Sequence, residues 1–260
     1  MHKGKRKKKW LIGLELLLLV VFCVAAYQLI TYYLTGSREE NEFRQLALIA
    51  QETASSTDTE NSAQQEPAAV NSEILYEQNP DYYGWIRIDG TKIDYPVMYT
   101  PGDSEYYLHR AFDRSYSQSG VPFLEGAYTD TCNNYLIYGH NMKNGTMFSS
   151  LLSYEKESYW QQHPVVTFDT RDDSGTYDVL GVFYTEIAAD RDDVFDYYHY
   201  LDLSDPDRYD EYVRKVKENA LYDTGIDAAY GDQLLTLSTC SYHVDNGRFV
   251  LVARKRSTEE

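Results

Sequence analysis

Leu235-Thr236-Leu237-Ser238-Thr239-Cys240 and, eight residues beyond that cysteine, Arg248-Phe249-Val250-Leu251-Val252-Ala253 read as two apolar strands separated by a short turn. The first ends in a thiol and the second opens on a guanidinium, so pairing them sets a nucleophile beside a fixed positive charge. A strand end holds a side chain more rigidly than a loop does, and covalent catalysis requires rigid placement. A cysteine closing an apolar strand is also a common core filler. Its reactivity depends on neighbours that these two segments do not supply, and a histidine brought in from elsewhere would decide the matter.

Outward from this pair, the chain before it is rich in short strands. Apolar runs over 84–88, 92–98, 121–124, 134–138, 165–170 and 177–185 are punctuated by Asp89-Gly90 and by the turn at 172–175. Residues 72–78 read as a short helix stopped by Pro80, and 154–162 as another. Over 207–220, Tyr209, Tyr212, Val213 and Val216 recur at helical spacing with charge between them, so a longer helix precedes the last two strands. About eight short strands with few helices predict a mainly β domain, a closed barrel or a sandwich.

The N-terminus has a different composition. Lys3, Lys5, Arg6, Lys7, Lys8 and Lys9 precede an almost wholly apolar stretch over 10–34. That is long enough to span a bilayer, and the basic cluster predicts a cytoplasmic N-terminus with everything after the span outside. A cleaved signal ending near Val24-Ala25-Ala26 is the rival, but the apolar run continues through Leu29, Ile30 and Leu34. The expected organisation is a cytoplasmic basic segment (1–9), a transmembrane helix (10–34), a stalk and flexible linker (35–70), a catalytic domain (71–256) and a short tail (257–260). Phe43, Leu46, Leu48 and Ile49 form an amphipathic patch that extends the membrane helix as a stalk, and 55–69 lacks any large apolar residue.

The net charge of −17 becomes more negative still once the N-terminal cations are set aside. So acidic an exported domain is repelled by phosphate backbones, which excludes nucleic acid as a partner. Cys23 lies in the apolar span, leaving Cys132 and Cys240 as the one pair available for a disulfide. Such a bridge would silence the nucleophile, and Cys132 is read as incidental. Asp172-Asp173 and the acidic run 190–193 lack the alternating ligands and glycine of a calcium loop, so no metal is expected.

The second chemical segment is Leu136-Ile137-Tyr138-Gly139-His140-Asn141-Met142, an apolar strand that ends at glycine and presents a histidine. The other histidines are poorer candidates: His109 and His199 sit in acidic or aromatic loops, His163 precedes Pro164, and His243 follows the cysteine closely. His140 joins Cys240 and Arg248 as a third reactive side chain at a strand end.

Together, Tyr138-Gly139-His140-Asn141-Met142, Thr236-Leu237-Ser238-Thr239-Cys240 and the strand from Arg248 to Arg254 resemble the three signature segments of the sortases, in that family's order. The stretches 79–86 and 93–97, with the long helix before the last strands, resemble the class B branch. The resemblance implies an eight-stranded sortase-type barrel with an N-terminal helix. It implies a membrane-bound cysteine transpeptidase of a Gram-positive surface, without cofactor. Such an enzyme cuts an Asn-Pro-x-Thr-like sorting signal of a secreted protein after Thr and holds the product as a thioester. It then passes that product to an amine of the wall precursor or, alternatively, to a pilin Lys. Cys240 matches the family nucleophile, His140 the acid/base and Arg248 the oxyanion partner. Ser238, Thr239 and Leu108 are expected along the substrate groove. Tyr242 stands two residues after the cysteine, which excludes an Asp there. A different exported cysteine peptidase is the remaining enzyme reading; in its common forms the Cys precedes the His or follows it closely, unlike here.

Overall fold

The computed structural model describes residues 3–52, 72–188, 191 and 193–257. The second half of the linker expected over 35–70, part of the acidic run 190–193 and most of the tail at 257–260 lie outside the described residues. The chain divides into two units, Met1–Glu42 and Phe43–Glu260.

Most of helix α1 (Lys3–Glu52) forms the first unit. Its segment Gly13–Thr31 has a mean hydropathy of 2.2 and is long and apolar enough to cross a membrane. Thr31 Oγ1 bonds back to the carbonyls of Tyr27 and Gln28, so its hydroxyl needs no water. The last turns of α1 belong to the second unit. Phe43, Ala47 and Ala50 are buried there, and Phe43 meets the ring of Tyr95 edge-on at 5.1 Å. Helical spacing puts 43, 47 and 50 on one face, whereas Leu48, part of the patch read from the sequence, is exposed.

The second unit is a closed barrel, which settles the choice between barrel and sandwich. Its strands are β1 (Tyr82–Arg87), β2 (Asp94–Met98), β3 (Phe123–Leu124), β4 (Asn134–Tyr138), β5 (Val165–Thr170), β6 (Ser174–Glu186), β7 (Leu234–Cys240) and β8 (Gly247–Lys255). Around the barrel they follow the order β1-β2-β3-β4-β7-β8-β6-β5. The pairs β2/β3 and β4/β7 are parallel and the others antiparallel. Among the described residues, closure leaves no unpaired sheet edge.

Helix α2 (Ser72–Gln78) takes the bounds that the sequence suggests. The helix expected over 154–162 is instead a 3-10 segment, Phe148–Glu155, followed by α3 (Glu157–Gln162). Lys156 between them is extended at φ −97° and ψ 120°, which breaks the run. Helix α4 (Pro206–Asn219) is capped by the Asp205 carboxylate, which accepts from the Arg208 N–H, and has proline in its first turn.

Strand β7 is buried on both sides. Leu235 and Leu237 point into the barrel with Ile137, Phe249 and Leu251. Leu234, with Leu136, Val250 and Val252, faces outward beneath Tyr209, Tyr212, Val213 and Val216 of α4. This double burial is why β7 and β8 read as continuous apolar runs rather than alternating ones. Each such side chain contributes about 1.5–3 kcal/mol by leaving water.

Candidate active site

The parallel register of β4 and β7 sets Tyr138 opposite Ser238. Two residues further on, Cys240 closes β7 with its side chain on the outer face, and His140 follows just past the end of β4, lining the same cleft. Strand β8 runs the other way and pairs Arg248 directly with Cys240; Cβ atoms of such partners lie about 4.5–5.5 Å apart. Three side chains, two of them about a hundred residues from the third in sequence, thus gather where adjacent strands end. Cys240 and Arg248 share the barrel face that α4 covers lower down.

Backbone bonds fix this group where the strands end. Gly139 N–H donates to the Ser238 carbonyl at 3.1 Å, and Thr239 Oγ1 donates to the Gly139 carbonyl at 2.7 Å. Asn141 Nδ2 donates to the Cys240 carbonyl at 3.0 Å. A Cβ on Gly139 would lie 2.6 Å from the Phe148 ring, so the chain passes there only as glycine. On the other side, Asn246 takes a left-handed φ of 53° to turn the chain into β8. Arg248 Nη1 donates to the carbonyls of Asn246 and Gly247 at 3.2 and 3.0 Å. Among the described residues its Nε and Nη2 meet no acceptor, and the guanidinium borders the cleft.

The group opens on a cleft of about 720 Å³ lined by His140, Cys240 and Arg248 together with Ser238, Thr239 and Leu108. All six residues singled out in the sequence therefore meet in one place, although their side chains are engaged differently. The Thr239 hydroxyl is spent on Gly139, and Ser238, only 1 % exposed, bonds the Tyr197 hydroxyl at 2.6 Å. Leu108 contributes its backbone as well, because its carbonyl accepts from His140 Nε2 at 2.9 Å.

That bond assigns the proton, since a carbonyl can only accept. Nε2 carries hydrogen and Nδ1 is the ring atom left to exchange a proton. Burial lowers the His140 pKa from its ordinary 6.5; the Leu108 carbonyl opposes the shift and the neighbouring His109 adds to it. His109, passed over in the sequence, stacks on His140 with ring centres 5.4 Å apart. Folded protein thus binds this proton less tightly than unfolded protein. The sign follows: stability falls as pH drops through 6.5 toward the folded pKa. NMR titration of His140 is expected to give a midpoint below 6.5 that moves up on denaturation; a midpoint above 6.5 contradicts the burial argument.

Several lining residues escaped the sequence reading. Tyr138, Ile187 and Tyr198 border the cleft, as do Glu105 and Glu125. Burial pushes the Tyr138 hydroxyl well above the usual phenol range, so it stays a neutral donor. Cys132 and Cys240 are both free. Cys132 stands before Asn134, which pairs with Leu234 at the far end of β7 from Cys240. A strand of this length spans roughly 20 Å, beyond the reach of a disulfide.

Comparison with known proteins gives this barrel a family. The sequence matches the Sortase domain family over residues 86–256. It is 27% identical to Sortase B of Staphylococcus aureus over 253 residues, covering 96% of this chain and 98% of that protein. It is 32% identical to Sortase B of Listeria monocytogenes over 194 residues, covering 70% of this chain and 75% of that one. The fold matches a Staphylococcus aureus sortase B-substrate complex with a TM-score of 0.72 at 24% identity, over 86% of this chain and 99% of the other. With its closed eight-stranded barrel and these relatives, the chain belongs to the sortase family of cysteine transpeptidases, on the class B branch.

Proposed function

We propose that this transpeptidase is held in the membrane by α1 with its N-terminus cytoplasmic, cuts sorting signals of secreted proteins after Thr, and joins them to a cell-wall amine. The observation that carries the chemistry is the meeting of His140, just past β4, with the paired Cys240 and Arg248 of β7 and β8 around one cleft. A solved Staphylococcus aureus relative is described as a substrate complex, which supports a peptide as the occupant of the corresponding cleft here.

In this reading the Cys240 thiolate attacks the carbonyl carbon of the Thr, and the charge that develops on its oxygen is met by the free N–H groups of Arg248. The C–N bond breaks as imidazolium Nδ1–H of His140 gives its proton to the departing amine. The acyl group remains as a thioester, which preserves the energy of the cleaved bond. An incoming amine then attacks the thioester and loses a proton to Nδ1, and the thiolate leaves. Burial makes the His140 imidazolium a stronger acid than an exposed one but a scarcer species at neutral pH.

The acceptor is tested by offering the full chain in detergent an Asn-Pro-x-Thr peptide with either a wall-peptide amine or a pilin-type Lys peptide. Ligated product with the wall amine is expected, at least about tenfold above the Lys peptide, a difference of about 1.4 kcal/mol. Product with the Lys peptide alone would overturn wall anchoring in favour of pilin polymerisation.

A further inference from the structure

Two tyrosines reach the outer face of β7, and their hydrogen bonds end differently. Thr236 Oγ1 donates to Asn134 Oδ1 at 2.9 Å and lies 2.7 Å from the Tyr212 hydroxyl. A hydroxyl has one proton. Thr236 spends its own on Asn134, so Tyr212 must be the donor in the other bond. The relay Tyr212 to Thr236 to Asn134 is closed, and all three residues are buried.

Two residues further along β7, the same arrangement is left open. The hydroxyls of Tyr197 and Ser238 lie 2.6 Å apart, both buried. This pair owns two protons, and the bond between them uses one. Among the described residues neither hydroxyl has a second partner, and a donor left unspent in a buried place is costly. Tyr197 is wholly enclosed, edge-on to Phe183 at 6.4 Å and to Tyr198 at 5.6 Å, and burial pushes its pKa up to about 12. Ser238 lines the cleft, two residues before Cys240.

We propose that Tyr197 is a positioning residue for substrate binding: it donates to Ser238 Oγ, as Tyr212 does to Thr236, and so turns the Ser238 O–H toward a backbone carbonyl of the bound peptide. The spacing fits this assignment. Ser238 and Cys240 side chains share a face about 7 Å apart, which is also the distance between carbonyls two residues apart in an extended peptide. With the scissile carbonyl at Cys240, a second carbonyl of the same chain falls at Ser238. The open end of the relay thus reads peptide backbone rather than a side chain, and the inference rests on Cys240 being the acyl carrier.

The test is steady-state kinetics of the full chain in detergent with an Asn-Pro-x-Thr peptide and a saturating amine. Tyr197→Phe, which keeps the ring and loses one hydroxyl, is expected to raise KM about 5- to 10-fold, the worth of one neutral hydrogen bond, with kcat within about 2-fold. Ser238→Ala should raise KM at least as much, and adding Tyr197→Phe to it should cost nothing more, because the two act as one unit. Ser238→Thr, which restores a hydroxyl of the kind found at Thr236, should recover most of the loss. Wild-type KM in Tyr197→Phe, a change confined to kcat, or effects that multiply in the double variant would overturn the proposal. Should Tyr197→Phe fail to fold, the serine series still decides, and Ser238→Thr no better than Ser238→Ala overturns it. Absence of any thioester on Cys240 in the wild type would instead sink the transpeptidase reading on which it stands.

Discussion

Cys240→Ala is expected to lower sorting-peptide cleavage by about 10⁴- to 10⁶-fold, the range seen when a covalent nucleophile is removed from a site whose other parts remain. The fold should survive. Cys240 is only half-buried, at the end of β7, and its backbone carbonyl bond to Asn141 does not involve the thiol. The melting temperature should therefore stay within about 2 °C of wild type, as for surface-like substitutions. Peptide should still bind, because the cleft walls are unchanged. Cleavage at wild-type rate would show that the thiol is a core filler and that the meeting of the three side chains is incidental.

Arg248→Ala is expected to cost about 10²- to 10³-fold in kcat/KM, the loss seen on removing one oxyanion donor, and more if the same guanidinium orients the ground-state carbonyl. Arg248→Lys should recover little. A lysine ammonium is a compact point charge and cannot bond the Asn246 and Gly247 carbonyls while also presenting a planar fork to the cleft. Arginine does not titrate at working pH, so the variant should scale the pH–rate profile down without moving its limbs. Rates measured across the pH range check this. A shifted limb would mean that Arg248 acts by setting the ionisation of a neighbour. A loss no larger than tenfold would place oxyanion stabilisation elsewhere.

Parts of this architecture are legible in the chain and parts are not, for physical reasons. Strands β4, β7 and β8 declare themselves through runs of Leu, Ile, Val and Phe. Helix α4 is visible because Tyr209, Tyr212, Val213 and Val216 recur at helical spacing, and all four are buried. What periodicity does not give is the parallel pairing of β4 with β7, since that contact joins residues far apart and depends on the intervening crossover. Juxtaposition of His140 with Cys240 therefore came from the sortase resemblance, not from spacing. Strand β3 is only Phe123–Leu124, shorter than its apolar run, because a barrel partner rather than propensity sets its length.

The tyrosines were the least readable residues. With 26 of them in the chain, no single one stands out by type. Tyr197 and Tyr138 acquire meaning only from their place, one beneath Ser238 and the other at the cleft wall. The packed face of the stalk was likewise misplaced in part, because Ala47 and Ala50 carry the contact that larger Leu48 had suggested. A small residue leaves room for close approach, and hydrophobicity alone does not report that.

The proposed chemistry stands on Cys240 as the acyl carrier. Mixing the full chain with an Asn-Pro-x-Thr peptide without amine, quenching in acid and mapping the digested protein by mass spectrometry measures this directly. The expected result is an adduct on Cys240 whose mass equals the peptide through its Thr, lost on treatment with hydroxylamine and absent from Cys240→Ala. Peptide turnover with the adduct on another residue, or with Cys240 recovered unmodified while the product accumulates in Cys240→Ala, would contradict it.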